Sequence, residues 1–366
     1  MARSLFFGFF WALSACVLAQ PGAPTCPPPS RPEETWKFGG DLRLRYEADV
    51  ARPGARNRER DRYRLRLFAR GPLSPELELG VRMRTGLPQT PFAPNAPLYN
   101  SLGEQEASGF NVDQAYLLYH PQGRYGWQLG LGKSPKFFGE GDSYDGLTWA
   151  ADYAPAGVWV AYEQPRWWLR AGYFTLGSLP RYVGADLVSV EGAYSWDLSP
   201  DSTLQVELKY RDFLLNRPIQ PFTNRGNLRN GSQNFLSDFR QLEPHLSYNF
   251  HIDELPVSLS AFYAKNLAAR SSDNETVSFG LSLGKTEKAG DLSVFGSYQV
   301  VGQESLFSPV AQDDFLASTN FRGFRTGVSY QLHETCRIDA WMLTSAQNEP
   351  NAAQQFRYRL DWNFRL

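Results

Sequence analysis

Residues 356–366 read FRYRLDWNFRL, and this stretch decides the fold class. Every even position carries an aromatic or aliphatic side chain, and every odd position carries a charged or amide side chain. Strict alternation is the pattern of a β-strand whose two faces meet different surroundings. Few soluble proteins contain a strand with charges along the whole of one face.

The same alternation recurs along the chain, first over residues 36–48, 62–70 and 76–84. Further segments with this pattern lie near residues 111–120, 124–133, 156–163, 166–176, 186–196, 202–211, 241–251, 256–265, 276–285, 290–300, 321–332 and 335–344. With the last segment the total is about sixteen, and single-chain bacterial barrels have an even number of strands. We therefore predict an all-β fold, a transmembrane antiparallel β-barrel of about sixteen strands.

The connections between these segments alternate between short and long, as in transmembrane barrels. Short connections contain turn formers, for example Gln164-Pro165 and 198–201. Long ones cover 86–109, 134–155, 212–240 and 301–320, with moderate ones at 49–60, 177–185, 266–275 and 345–354. The pattern predicts short periplasmic turns and long extracellular loops. Aromatic residues cluster where strands meet turns and predict girdles at the membrane interfaces.

The chain has 366 residues and a formal net charge of −1, so no nucleic-acid partner is implied. Residues 1–19 have the charged, apolar and cleavage regions of a signal peptide, although the sequence before Cys16 also resembles a lipidation site. A proline-rich periplasmic lead-in is expected at 20–34 and the barrel at 35–366. No later stretch holds the roughly 20 apolar residues of a spanning helix, so insertion must use a closed barrel.

Four stretches resemble a family of bacterial "putative porins", related in pattern to general diffusion porins. They are GDLRLRYE at 40–47, RNRERDRYRLRL at 56–67, GVRMRTG at 80–86 and DQAYL at 113–117. The resemblance covers mainly residues 36–163. It implies a bacterial outer-membrane location, outer-membrane lipids and small hydrophilic solutes or ions as partners, and a homotrimer. Leu366 departs from the Phe or Trp with which such barrels usually end.

Charged residues at the lipid midplane cost roughly 2 to 4 kcal/mol each, so the rows of arginines must face the lumen. We predict a basic, pore-lining wall formed by Arg43, Arg45, Arg62, Arg64, Arg66, Arg82, Arg84, Arg325, Arg357 and Arg359. In general porins the third outer loop folds into the barrel and places carboxylates opposite such a wall. By resemblance that loop is 134–155 here, and its candidate constriction acids are Glu140, Asp142, Asp145 and Asp152.

The expected function is that of an outer-membrane porin, through which small hydrophilic solutes and ions diffuse passively without a cofactor. One alternative is a substrate-specific channel whose arginines bind anionic nutrients. Another is a structural or adhesive barrel with a closed lumen, in which loop 212–240, with Arg217, Arg225 and Arg229, serves as a plug or binding surface.

An enzyme is not expected, because the four histidines show no metal spacing and no Ser-His-Asp cluster stands out. No metal site is predicted. Cys26 and Cys336 are the thiols left after signal cleavage. Both are expected on the periplasmic side, so we predict a disulfide that ties the lead-in to the barrel rim.

Overall fold

A computed structural model describes residues 35–86, 95–102, 109–134, 153–176, 185–215, 226–231, 234–312, 314–315 and 317–366. Every regular element in these ranges is a β-strand. None of the described residues forms a helix long and apolar enough to cross a bilayer. The predicted signal peptide and lead-in, residues 1–34, lie outside the described ranges.

The strands alternate in direction along the chain and are numbered in chain order. The first nine are β1 Lys37–Val50, β2 Arg58–Ser74, β3 Leu77–Thr85, β4 Ala96–Asn100, β5 Phe110–Tyr119, β6 Trp127–Lys133, β7 Ala156–Gln164, β8 Trp167–Thr175 and β9 Ala185–Ser199. The other ten are β10 Ser202–Leu215, β11 Arg229–Asn230, β12 Asn234–Phe235, β13 Phe239–Ile252, β14 Leu255–Asn266, β15 Glu275–Gly284, β16 Leu292–Val301, β17 Phe321–His333, β18 Cys336–Gln347 and β19 Gln355–Arg365.

Sixteen of the described strands form one closed antiparallel wall. Each pairs with its neighbours in sequence, and β19 pairs back onto β1 with Arg45 opposite Asp361 and Glu47 opposite Arg359. The short β4 pairs with the outer end of β2, while β11 and β12 form a separate two-stranded ribbon. The predicted barrel of about sixteen strands is confirmed.

Apolar and polar positions are inverted relative to a soluble protein. On β1, Arg45 and Glu47 are buried on the inner face, whereas Leu44 and Tyr46 are exposed on the outer face. Large apolar side chains such as Leu131, Val158 and Phe279 are more than half exposed. Such a surface suits a barrel that turns its apolar side to lipid and its polar side to the lumen.

Aromatic side chains pair on the outer face near the periplasmic ends of the strands. The ring of Trp127 lies 4.9 Å from that of Tyr162, which lies 5.2 Å from Trp167. Tyr194 and Trp196 are 4.5 Å apart on the next strand. These rings form the aromatic band predicted for the membrane interface.

The segment between β16 and β17, residues 302–320, is called the inner loop here because most of its described side chains are buried. Its Phe307 ring lies 4.6 Å from Phe213 on β10, and Asp314 forms an ion pair with Arg359 on β19. Both wall residues point into the lumen, and β10 and β19 lie on nearly opposite sides of the sixteen-stranded wall. The inner loop therefore crosses the barrel.

Candidate lumen site

All ten arginines predicted for the basic wall lie on the lumen face of the strands. They come from β1, β2, β3, β17 and β19, and closure of the barrel places these strands on one side. The ten residues are Arg43, Arg45, Arg62, Arg64, Arg66, Arg82, Arg84, Arg325, Arg357 and Arg359. We call this side the arginine side. The alternation of the strands and the β1–β19 pairing together bring these residues to one side of the lumen.

Two carboxylates near the outer end of β1 organise the arginine side. Glu47 accepts a hydrogen bond of 2.7 Å from Nε of Arg359 and a second from Arg60. Asp49 accepts one of 2.5 Å from Nε of Arg357 and one of 2.8 Å from Arg58. Because each carboxylate is shared among several arginines, the network holds the guanidinium groups in fixed positions.

Arg45 and Trp341 form the floor of this network. Arg45 makes two hydrogen bonds to Asp361, at 2.6 and 2.7 Å, the bidentate geometry in which Arg binds carboxylates most strongly. Trp341 donates to the same carboxylate from Nε1 at 3.2 Å. The guanidinium carbons of Arg359, Arg325 and Arg45 lie 4.6, 5.0 and 5.5 Å from its ring centre, which favours these cations.

Four of the remaining wall arginines share two further carboxylates. Asp41 pairs with Arg64 at 3.0 Å and with Arg66 at 2.6 Å. Asp113 on β5 pairs with Arg82 at 2.6 Å and approaches Arg84 at 3.5 Å. The first carboxylate belongs to the alternating pattern of β1, whereas Asp113 was not singled out from the sequence.

The opposite wall, formed by β7 to β13, carries a compact, buried ionic group. Arg211 lies between Glu191 and Glu243, with nitrogen to oxygen distances of 3.1 and 3.2 Å. The side-chain exposures of the three are 0%, 2% and 0%. Sequence reasoning missed this group, although the three residues occupy the inward positions of β10, β9 and β13.

The outer part of that wall's lumen face is apolar, whereas Glu207, Lys209 and His245 keep its periplasmic part polar. Trp159, Phe174, Leu187, Phe213 and Phe239 are buried in one cluster that includes the inner loop's Phe307 and Val310. Glycines provide room for the largest rings: a Cβ on Gly130 would lie 2.1 Å from Trp159, and one on Gly80 would lie 2.2 Å from Tyr116. We call this wall the packed side.

The inner loop is held against the packed side by polar contacts as well. Asn227 donates to the carbonyl oxygens of Gln303 and Leu306 at 2.7 and 2.9 Å and accepts from the amide of Ser308 at 2.8 Å. Gln241 of β13 donates to the carbonyl of Ser305 at 3.2 Å.

Glu304 at the start of the inner loop is fully buried and accepts from the amide of Leu228. Burial raises the pKa of its carboxyl, and nearby Asp273 adds to the increase, whereas hydrogen bonds from Ser237 and Leu228 oppose it. A carboxyl in this setting binds its proton more tightly than in water.

At its far end the inner loop reaches the arginine side through Asp314. Its carboxylate pairs with Nη1 of Arg359, and its carbonyl oxygen accepts from Arg357. Burial alone would raise the pKa of Asp314, but Arg359, Arg325 and Arg45 lower it to about 2. Asp314 is therefore a carboxylate at neutral pH, and it faces the floor of the arginine network.

The predicted constriction acids Glu140, Asp142, Asp145 and Asp152 lie outside the described residues. Arg217 and Arg225 of the candidate plug also lie outside them, while Arg229 is part of β11. Cys336 is 9% exposed and starts β18 at the periplasmic end, but Cys26 is not described, so the disulfide stays a prediction.

The lumen-crossing role of residues 302–320 was not predicted. Within the described ranges, no group of three or more His, Cys, Asp or Glu residues could hold a metal ion.

Residues 51–202 match the model of a family described as "Putative porin". A search of curated proteins found no match. Among solved structures, OprB of Pseudomonas putida is similar in fold, with a TM-score of 0.57 and 10% sequence identity. The alignment covers 90% of this chain and 94% of OprB. OmpT of Vibrio cholerae, an outer-membrane protein solved as a trimer, matches at 12% identity, with 91% and 100% of the two chains covered and a TM-score of 0.54.

A triple mutant of the porin of Rhodopseudomonas blastica gives a similar result, with 12% identity, the same coverage of 91% and 100%, and a TM-score of 0.53. At these identities the solved structures show the fold alone, whereas the family match rests on the sequence of residues 51–202. Together, the closed wall, the lipid-facing surface and these matches identify the chain as a bacterial outer-membrane β-barrel, of which residues 51–202 are similar to the family described as "Putative porin".

Proposed function

We propose that the barrel is a passive pore, and not an enzyme, through which small hydrophilic solutes and ions diffuse along the arginine side. The observation that carries this proposal is the division of the lumen. One wall carries rows of arginines and their carboxylate partners, and the outer part of the other wall is covered by apolar side chains and the inner loop. A conducting path needs a polar lining, so it follows the arginine side.

A channel for anionic nutrients is the second candidate. It is favoured by the excess of arginine over carboxylate on the arginine side, where seven arginines (Arg45, Arg58, Arg60, Arg62, Arg325, Arg357, Arg359) surround three wall carboxylates (Glu47, Asp49, Asp361) and Asp314. A positively charged constriction raises the local concentration of anions. Flux that saturates with an anionic solute, but not with a neutral sugar, would distinguish this function from general diffusion.

A closed structural barrel is favoured by a different observation, the inner loop that crosses the lumen. The candidate acids of loop 134–155 are proposed to narrow the path further from the wall opposite the arginines. We also propose the assembly and processing expected of a porin. These are a homotrimer, a signal peptide at 1–19, a periplasmic lead-in at 20–34 and a Cys26–Cys336 disulfide at the rim.

The test is reconstitution of the refolded chain in planar bilayers and in liposomes. The proposal expects stable stepwise conductance and swelling of liposomes in small neutral sugars. Folding is judged by resistance to SDS without heating. Folded barrels that neither conduct nor cause swelling would contradict the proposal of a passive pore and favour the closed structural barrel. Saturable uptake of anions without sugar flux would select the anion channel.

A further inference from the structure

Asp314 is held by arginines that lie on the wall, although it belongs to the inner loop and not to a strand. Four guanidinium groups act on this carboxylate or its backbone oxygen, those of Arg45, Arg325, Arg357 and Arg359. Three of them lie against Trp341, the ring that forms the floor of the network. The wall strands β1, β17, β18 and β19 thus form a basic concavity, and the inner loop supplies the anion in it.

Asp314 adds a fourth carboxylate to this concavity. The wall itself offers the four arginines three carboxylates, Glu47, Asp49 and Asp361. Two of those three also contact arginines of β2: Glu47 pairs with Arg60, and Asp49 pairs with Arg58. Without the inner loop the wall carries an excess of positive charge, which attracts any small anion that enters the lumen.

The contact between Arg359 and Asp314 has the geometry of an anion-binding site. Arg359 reaches Asp314 with one terminal nitrogen while its Nε binds Glu47, so the guanidinium group connects a wall carboxylate to the loop carboxylate. Planar guanidinium groups bind carboxylates and phosphates in this manner. A free carboxylate or phosphate would meet the same donors as the side chain of Asp314.

We infer that Arg45, Arg325, Arg357 and Arg359 form an anion-binding site in the lumen, that Asp314 occupies it as a tethered carboxylate, and that this residue sets the charge preference of the pore. The inference deepens the proposed function, on which its conductance readout rests. The ligand class is small carboxylates and phosphates. Removal of the carboxylate frees the site for an external anion.

The variant Asp314→Asn removes one negative charge with little change in size, and Asp314→Glu retains the charge. The matched control is Asp253→Asn at an exposed periplasmic turn, where φ is 54° and Asn is tolerated as well as Asp. In bilayers with a KCl gradient, Asp314→Asn should raise the anion-to-cation permeability ratio about threefold, the effect of one unit charge over several ångström of water. The other two variants should keep the ratio of the unmodified protein.

A second readout does not require conduction. In detergent, inorganic phosphate should raise the unfolding temperature of Asp314→Asn, but not that of the unmodified protein or of Asp253→Asn, because only the first variant has an open site. If Asp314→Asn conducts with unchanged selectivity and gains no phosphate response, the inference is overturned and the porin proposal stands. If no variant conducts but phosphate stabilises Asp314→Asn, the site is supported and the pore is not.

Discussion

The arginine side and the packed side are built on the same alternating backbone, yet ion pairs to the inner loop form on the arginine side and its largest aromatic cluster forms on the packed side. On the packed side, Phe213 and Phe239 bury Phe307 of the loop. Their ring centres lie 4.6 and 5.2 Å, respectively, from that of Phe307. On the arginine side, Arg357 and Arg359 hold the loop through Asp314. Apolar burial excludes water, whereas a network of charged groups provides the polar lining that a conducting path needs.

One loop can therefore narrow the lumen of a barrel without filling it. Apolar contacts fix the inner loop to the packed side and, through Phe315 beside Phe321, to β17, and Asp314 joins the loop to the arginines. The solute path is then bounded by charged groups, and its chemistry depends on the few residues that face it. The predictions below test this division, starting with the largest expected effect.

Replacement of Arg211 by Met should have the largest effect on stability. It leaves Glu191 and Glu243 buried without this cation, and loss of one partner of a buried ion pair costs about 3 to 5 kcal/mol. Equilibrium unfolding in urea, with the barrel in phospholipid vesicles, measures the change. The control is Arg166→Met, which removes the exposed pair with Asp197 and should change stability by less than about 1 kcal/mol. Equal effects of the two variants would contradict the buried role of Arg211.

Phe307→Ala should loosen the inner loop from the packed side. Loss of a fully buried Phe costs about 3 kcal/mol, which corresponds to roughly a hundredfold larger open population of the loop. Chymotrypsin cleavage within 302–320 measures that population. Phe324→Ala, which removes a ring exposed on the outer face, is the control and should leave the cleavage rate unchanged. A Phe307→Ala barrel as protected as the unmodified one would show that the cluster does not hold the loop.

The smallest effect expected is the pH dependence of the Asp314 contact. Because its arginine partners lower the pKa of Asp314 from 3.8 to about 2, the contact contributes about 2 kcal/mol above pH 4. This contribution falls as the pH decreases from 4 to 2, when the carboxylate gains a proton. Pepsin cleavage of the inner loop from pH 4 to pH 2 should rise more steeply for the unmodified protein than for Asp314→Asn. Parallel curves would contradict the ion pair.

The wall could be predicted from sequence because its information is local. Alternation with a period of two fixes both the strand and the face of each residue, so Arg45, Arg64 and Arg359 are assigned to the lumen without any knowledge of their partners. An even strand count then places the last strand beside the first. For this reason the sixteen strands and the common side of the ten arginines follow from the sequence.

The inner loop could not be predicted in the same way, because loops have no period and docking depends on distant residues. Asp314 and Arg359 are 45 positions apart, and Asn227 lies 81 positions before Ser308. One signal was present: residues 301–320 hold Leu306, Phe307, Val310 and Phe315 but no basic residue, an unusual composition for an extracellular loop. The group formed by Arg211, Glu191 and Glu243 was missed because its charges come from three strands, and β9 and β13 each contribute a single acid to it.

Accessibility to a charged thiol reagent during current recording tests the division of the lumen most directly. In a Cys26→Ser, Cys336→Ser background, we compare Arg62→Cys on the arginine side with Leu187→Cys, fully buried on the packed side. A polar path along the arginines predicts rapid modification and a stepwise change in current for Arg62→Cys and no change for Leu187→Cys. Rapid modification of Leu187→Cys, with Arg62→Cys protected, would contradict the account.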